Sequence, residues 1–398
     1  MDVLISVVVL NYNGKQYLEN CFNSLKRQTY LSMELIMVDN NSSDGSVELV
    51  EDKFPEVKII KNKTNEGFAG GNNTGVLNSS GRYVAVLNND TVVDKDWLKK
   101  LVETMNITNS TIVGSRVYTE GVEPRHYKKN GTINLLGYNI YGVFDDLSVT
   151  FIATGCALLF DKEKIGLPFD AEYFFYSEDV YLSWFTWLRQ FQISQAIGAV
   201  VYHIGSASAK KEKSRLRTFY QERNRLLNLF IFYEPVTLLK VSPFLLFDII
   251  VRPFYVIFDK NKSVYGWLKA IWWLLSNHDK VLRKRNVVGK QRVVSDTEIL
   301  KYMSCKVTNM RNFFGRIINI LSYFYCWLVN IDTAEMIKGS GIEDSHDKLP
   351  RKNIKYHHVI TSTHFEHETT YGQVIDLIKM GSRVLDIGCS TGFLGKYL

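Results

Sequence analysis

The chain is 398 residues long, room for two or three domains at roughly 100 to 200 residues each, with 46% hydrophobic and 22% charged residues. That composition excludes disordered, collagen-like and coiled-coil classes and small stapled scaffolds. Forty-eight Lys and Arg against 41 Asp and Glu leave +7. Clustered, that charge would favour phosphates or an anionic membrane surface, and nothing in it points to nucleic acid.

Ile5 to Leu10 is a continuous apolar, β-branched run ended by Asn11 and Gly14, the pattern of a strand buried on both faces of a parallel sheet. Helices are expected over Tyr17 to Gln28, Gly45 to Phe54 and Gly70 to Ser79, with strands over Leu35 to Val38, Val57 to Ile60 and Tyr83 to Leu87. Strands alternating with helices of about ten residues imply βαβ crossovers and an α/β sheet covered on both faces. Ligands in such sheets sit at the carboxyl ends of the strands. Three of those ends are polar: Asn11-Tyr12-Asn13, Asp39-Asn40-Asn41 and Asn88-Asn89-Asp90.

After Val236 the chain turns to long apolar, aromatic-rich stretches. Val236 to Phe258 is long enough to span a bilayer, yet it holds Lys240, Asp248, Arg252, Pro243 and Pro253. At about 100° per residue its three charges share an arc of roughly 120°, which suits a helix lying in the membrane interface. Trp267, Trp272 and Trp273 precede a basic run, Lys280, Arg283, Lys284, Arg285, Lys290 and Arg292, that reads as an aromatic and basic anchor. The alternative is a helical pair packed on the preceding domain or in a homodimer. Phe313 to Val329 carries only Arg316 as a charge and fits either a buried or a membrane-contacting helix. A polar linker with Gly339, Ser340, Gly341 and Pro350 is expected over 337–355. The expected divisions are 1–235, 236–336, 337–355 and 356–398.

Cys21, Cys156, Cys305, Cys326 and Cys389 make no CxxC or Cys/His ligand spacing, so neither a disulfide framework nor a structural zinc site is expected. Met1-Asp2-Val3-Leu4-Ile5 lacks the positive region and longer apolar run of a signal peptide. The first domain is expected in the cytoplasm, peripheral at the inner face of the cell membrane.

Five motifs follow in order: Ser6 to Asn13, Val38 to Ser46, Asn65 to Asn73, Leu87 to Asp90 and Phe174 to Asp179. Together they resemble the family 2 glycosyltransferases of GT-A fold, with a Rossmann-like mixed sheet and helices on both faces. The resemblance implies an inverting, metal-dependent transferase that moves a sugar from dTDP-rhamnose or a UDP-sugar to a cell-surface glycan or lipid-linked acceptor. Asn88 stands where the family's Asp-x-Asp element has its first acid. That substitution keeps open a decayed nucleotide-sugar-binding or scaffold protein. Arg383 to Gly392 resembles the first motif of class I S-adenosylmethionine methyltransferases and reads as the start of a truncated domain, or as a fragment of a bifunctional protein.

The residue chemistry is compatible with that resemblance. Asp39, at a strand end, can accept from the imide N–H of a uracil or thymine, whereas Asp44 before Gly45-Ser46 suits a helix cap. Asn11 belongs to the same donor-binding set. Gly67, Gly70 and Gly71 ahead of a helix allow backbone N–H groups to face an anion. The resemblance assigns Asp90 and His203 to Mg2+ or Mn2+, Asn88 and Arg223 to the donor, and Gly155 and Cys156 to the acceptor side. Asp179 is expected to be the catalytic base with Glu178 as its helper, although a helix N-terminus alone favours carboxylates there.

Overall fold

Strand β1 (Ile5–Asn11) is the parallel partner of β2 (Met33–Asp39) on one side and β4 (Tyr83–Asn88) on the other, and β2 pairs in turn with β3 (Lys58–Lys61). The computed structural model describes residues 3–119, 131–141, 149–204, 214–259, 262–308 and 313–339. The expected linker beyond Gly339 and the 356–398 segment lie outside the described residues. The sheet continues through β5 (Thr91–Val93), β6 (Ile112–Thr119), β9 (Ala157–Asp161) and β10 (Ile193–His203) to give the order β3-β2-β1-β4-β9-β6-β10-β5. β9 runs antiparallel to β4 and β6, and β5 antiparallel to β10, so the sheet is mixed. A separate hairpin joins β7 (Gly131–Ile133) to β8 (Asn139–Tyr141).

Successive residues of a strand face opposite sides of a sheet, so the buried central strands feed two cores. Val7, Val9, Met37, Ala85 and Leu87 meet Phe22 and Leu25 of α1 (Lys15–Lys26), Val50 of α2 (Ser46–Lys53) and Trp97 of α4 (Trp97–Thr108). Val8, Ile36, Val38, Val84 and Val86 face the other core, with Ala69 and Val76 of α3 (Gly67–Leu77). Helix α3 starts earlier than the expected Gly70. Gly67 adopts φ +70° and its N–H donates to Asn65 Oδ1 at 2.9 Å, which turns the chain into the helix at that point.

The second core also takes in α6 (Glu178–Leu188), which follows the short α5 (Lys162–Ile165), and α7 (Ser214–Phe232). The next helices are α8 (Pro235–Phe258), α9 (Val264–Ser276), α10 (His278–Gln291), α11 (Asp296–Leu300), α12 (Phe313–Leu328) and α13 (Ala334–Gly339). Leu274, Val288, Ile299 and Cys326 join the same apolar cluster as Trp184 and Phe232, so the later helices share a core with the sheet.

Two charges of the expected polar stripe on 236–258, Asp248 and Arg252, do not face outward. Arg252 donates to Glu222 Oε1 at 2.7 Å, and Asp248 accepts from Arg225 at 2.9 Å and from Tyr138 Oη at 3.0 Å. The reason is desolvation, since charges on the packed side of a helix must find partners there. Burial alone would raise the Glu222 pKa, but Arg225 and Arg252 bring its carboxyl down to about 2. Most of the expected basic anchor is likewise turned inward. Lys280 pairs with Glu172, Lys284 with Asp170 and Glu172, and Arg292 with Asp296, while Arg285 donates to the Phe230 carbonyl. Trp267 is buried, whereas Trp272 is exposed.

Candidate active site

The parallel register sets Asn11 beside Asp39 and Leu10 beside Asn88, which brings three polar strand ends to one edge of the sheet. Asn11 Nδ2 donates to Asp39 Oδ1 at 3.2 Å, and Asn11 Oδ1 accepts from Asn89 Nδ2 at 2.7 Å. Asp39 Oδ2 accepts from the Ser42 N–H at 3.0 Å, and Ser42 Oγ accepts from Asn11 Nδ2 and the Asn13 N–H. Asp39 is buried at 3% exposure, yet an ionised carboxylate has about four lone-pair sites and only part of them are used. Asp44 caps two helices, accepting from the Lys15 N–H at 2.8 Å and the Ser46 N–H at 3.1 Å. Partial burial opposes its charge, but these bonds and the Ser46 hydroxyl hold its pKa below the ordinary value.

Asp90 lies one residue beyond Asn89. Its Oδ1 is 3.1 Å from His203 Nε2, and its carbonyl accepts from the Ile204 N–H, so the turn after β4 is tied to the end of β10. The Asn88 N–H donates to the Cys156 carbonyl at 2.9 Å, which brings Thr154-Gly155-Cys156 beside the same turn. Burial raises the Cys156 pKa, and the charges of Asp90 and Asp179 raise it further, so the thiol stays protonated and is no nucleophile.

Gly155 connects this turn to α6. Its N–H donates to Asp179 Oδ2 at 3.4 Å, and a Cβ there would lie 3.2 Å from Phe68 Cζ and 3.6 Å from Asp179 Cβ. Glu178 is buried beside it, and its Oε2 finds no hydrogen-bond partner among the described residues. Desolvation raises the pKa of both carboxyls, and for Glu178 the charge of Asp179 adds to it. Two adjacent carboxyls reluctant to lose their second proton suit proton transfer, one being ionised while its neighbour stays neutral.

The approach to α6 is strained: Phe174, Tyr176 and Ser177 have φ of 59°, 71° and 60°. Left-handed non-glycine residues cost on the order of 1–3 kcal/mol each and persist only where the surroundings hold them. Here α7 does the holding. Asn224 Nδ2 donates to the carbonyls of Tyr173, Phe175 and Tyr176 at 3.0, 3.0 and 2.6 Å, and Arg223 Nη2 donates to Glu172 and Tyr173 carbonyls at 2.6 and 3.2 Å.

Two residues expected at a donor are thereby occupied elsewhere. Arg223 is 5% exposed, with its guanidinium packed near the rings of Phe219, Tyr220 and Trp273, and its donors grip the 172–173 carbonyls. The start of α3 is filled from within the chain: the Gly67 N–H goes to Asn65, and those of Phe68 and Ala69 go to the Phe174 carbonyl. The glycines serve packing instead. A Cβ at Gly67 would collide with the Phe174 carbonyl, one at Gly71 with Leu10 Cδ1, and one at Gly75 with Val8 Cγ1.

Among the described residues no group of three or more His, Cys, Asp or Glu converges as a metal site. Asp90 and His203 supply two donors 3.1 Å apart. A divalent cation held there would take two protein ligands and leave its other positions to substrate phosphates and water.

Residues 6–166 match the family described as Glycosyl transferase family 2. Among curated relatives, an uncharacterized glycosyltransferase of Haemophilus influenzae is 34% identical over 25% of this chain and 32% of its own length. The uncharacterized glycosyltransferase EpsJ of Bacillus subtilis is 30% identical over 32% of this chain and 38% of its own. The UDP-Glc:alpha-D-GlcNAc-diphosphoundecaprenol beta-1,3-glucosyltransferase WfgD of Escherichia coli is 28% identical over 34% of this chain and 59% of its own. The matches thus span about a third to three fifths of these relatives. Among solved structures, S. aureus TarS 1–349 in complex with UDP-GlcNAc is 16% identical with TM-score 0.47, covering 85% of this chain and 92% of that one. Over residues 6–166, then, the chain is similar to glycosyl transferase family 2.

Proposed function

We propose that this chain transfers a sugar from a nucleotide diphosphate donor, dTDP-rhamnose or a UDP-sugar, to a hydroxyl of a cell-surface glycan or lipid-linked acceptor, with inversion at the anomeric carbon. The observation that carries this reading is a continuous run of contacts along one sheet edge, from Asp39 through Asn11, Asn89 and the Asn88–Cys156 bond to Gly155 and Asp179. In this reading it joins a carboxylate suited to a uracil or thymine imide, the Asp90 and His203 pair and a base along that edge. The name of the Escherichia coli relative, with its UDP-glucose donor and polyprenol-linked acceptor, agrees with this class of reaction.

In this reading Asp39 accepts from the base imide, and Asn11 and Asn88 bind the ribose or diphosphate. Asp90 and His203 would hold Mg2+ or Mn2+, whose charge offsets that of the departing diphosphate. Asp179 takes the proton from the acceptor hydroxyl. The acceptor oxygen forms its bond to the anomeric carbon as the bond to the diphosphate oxygen breaks, and the nucleoside diphosphate leaves with the electron pair. Glu178, held neutral by burial, keeps a second negative charge away from that transfer. The acceptor's lipid would place the enzyme at the inner face of the membrane.

A thermal-shift screen tests the reading. Uridine or thymidine diphosphate sugars with Mn2+ are expected to raise the melting temperature more than adenosine or guanosine analogues do, because selective binding stabilises the folded chain by mass action. Equal shifts with all four bases would remove Asp39 from base recognition.

A further inference from the structure

Helices α8 and α12 lie against each other. The rings of Phe244 and Tyr325 are 4.7 Å apart, Tyr325 Oη donates to the Lys240 carbonyl at 2.7 Å, and Lys240 Nζ donates to the Asn330 carbonyl at 3.0 Å. Two of the three charges of α8 point into the protein, as Asp248 and Arg252 bind the Glu222 and Arg225 cluster. What α8 leaves outside is apolar. Leu239, Leu246, Ile250 and Ile257 are 60 to 74% exposed, and at about 100° per residue they lie within an arc of roughly 40°. On α12, Ile320, Leu321, Phe324, Trp327 and Leu328 are 57 to 66% exposed, while Ser322 and Cys326 face inward.

A free-standing soluble protein rarely leaves two such apolar stripes in water. The charge around it selects the occupant. α12 has no acidic residue, the one acid of α8 is turned inward, and the charged side chain exposed on α12 is Arg316. A protein interface needs a polar rim with roughly one hydrogen bond per 100–200 Å². The outer faces of α8 and α12 offer aliphatic and aromatic side chains with a cation beside them, and Trp327 and Tyr323 are residues at home at headgroup depth.

We infer that the outward faces of α8 and α12 dock on an anionic lipid bilayer, with the apolar stripes at the acyl boundary and Arg316 among the headgroups. This goes beyond the sugar-transfer reading and does not depend on it. It also moves the contact away from the basic run of α10, which is largely engaged inside the protein. The attraction is therefore mainly hydrophobic and survives added salt.

The test is co-sedimentation of the full chain with phosphatidylcholine vesicles containing phosphatidylglycerol, at low and high salt. Wild type is expected to bind, with only modest loss at high salt. Ile250→Glu and Phe324→Glu, one on each helix, are each expected to cut binding by at least about tenfold, because the carboxylate would have to enter the apolar layer. Both sites are exposed, and unchanged melting curves and nucleotide-induced shifts would establish that the variants fold. Failure of wild type to bind overturns the inference. So does unaltered binding by both folded variants, or a lipid-free dimer that the same substitutions dissociate while vesicles bind nothing.

Discussion

Asp179→Asn is expected to lower sugar transfer by about 10²- to 10⁴-fold, the usual contribution of general base catalysis, while donor affinity changes little. Asn keeps the volume and can still accept the Gly155 N–H bond that holds Asp179 in place. What it lacks is a site for the acceptor proton. Paired measurements of turnover and of nucleotide-sugar affinity check this. Near-wild-type turnover in Asp179→Asn would pass the role to its neighbour.

Glu178→Gln separates the two carboxyls and carries its own pH signature. The folded chain raises the Glu178 pKa by burial and then by the charge of Asp179. A group whose pKa rises on folding contributes stability that is complete below its unfolded value, about 4.3, and is lost as the pH climbs through the raised one. Gln removes that loss. Glu178→Gln is therefore expected to melt higher than wild type at about pH 9 and to gain nothing at about pH 4, with a smaller fall in turnover than Asp179→Asn. A melting difference independent of pH would show that Glu178 is not the group that titrates.

The strands over 5–88 were legible because buried parallel strands are unbroken β-branched runs, and Ile5 to Leu10 or Leu35 to Val38 allow few other readings. The polar ends of those strands were legible for the same reason, since the topology leaves them at one edge. Three features were not legible, each because a partner distant in the chain decides it. Asp248 and Arg252 read as an outward stripe, since their periodicity is visible but Glu222 and Arg225 opposite them are not. Gly67, Gly70 and Gly71 read as a turn facing an anion, but the acceptor that fills the start of α3 is the carbonyl of Phe174, and a backbone atom has no sequence signature. That the amide of Asn224 spans three carbonyls of the segment before α6 follows only from the fold.

That grip links the later helices to the chemistry. Glu178 and Asp179 open α6 directly after the strained residues, so their position depends on the segment held by Arg223 and Asn224. Lys280 and Lys284 of α10 fasten the same segment at Glu172 and Asp170. Residues after 235 thus help to fix the segment that leads into Glu178 and Asp179.

Asp90→Asn is expected to lower transfer by at least about 10²-fold and to abolish the part of donor binding that Mn2+ adds. Asn retains a partner for His203 Nε2, which lies 3.1 Å from Asp90 Oδ1, so the link between the β4 turn and the end of β10 survives. The negative charge that attracts a cation is lost. Among the described residues two protein donors meet there, so the diphosphate would complete a cation's coordination, and metal and donor are expected to bind cooperatively to wild type. Calorimetric titration of the nucleotide sugar with and without Mn2+ measures that coupling. In Asp90→Asn the two titrations should coincide. If Mn2+ still tightens donor binding in the folded variant to the wild-type extent, the cation sits elsewhere and Asp90 holds His203 for structural reasons alone.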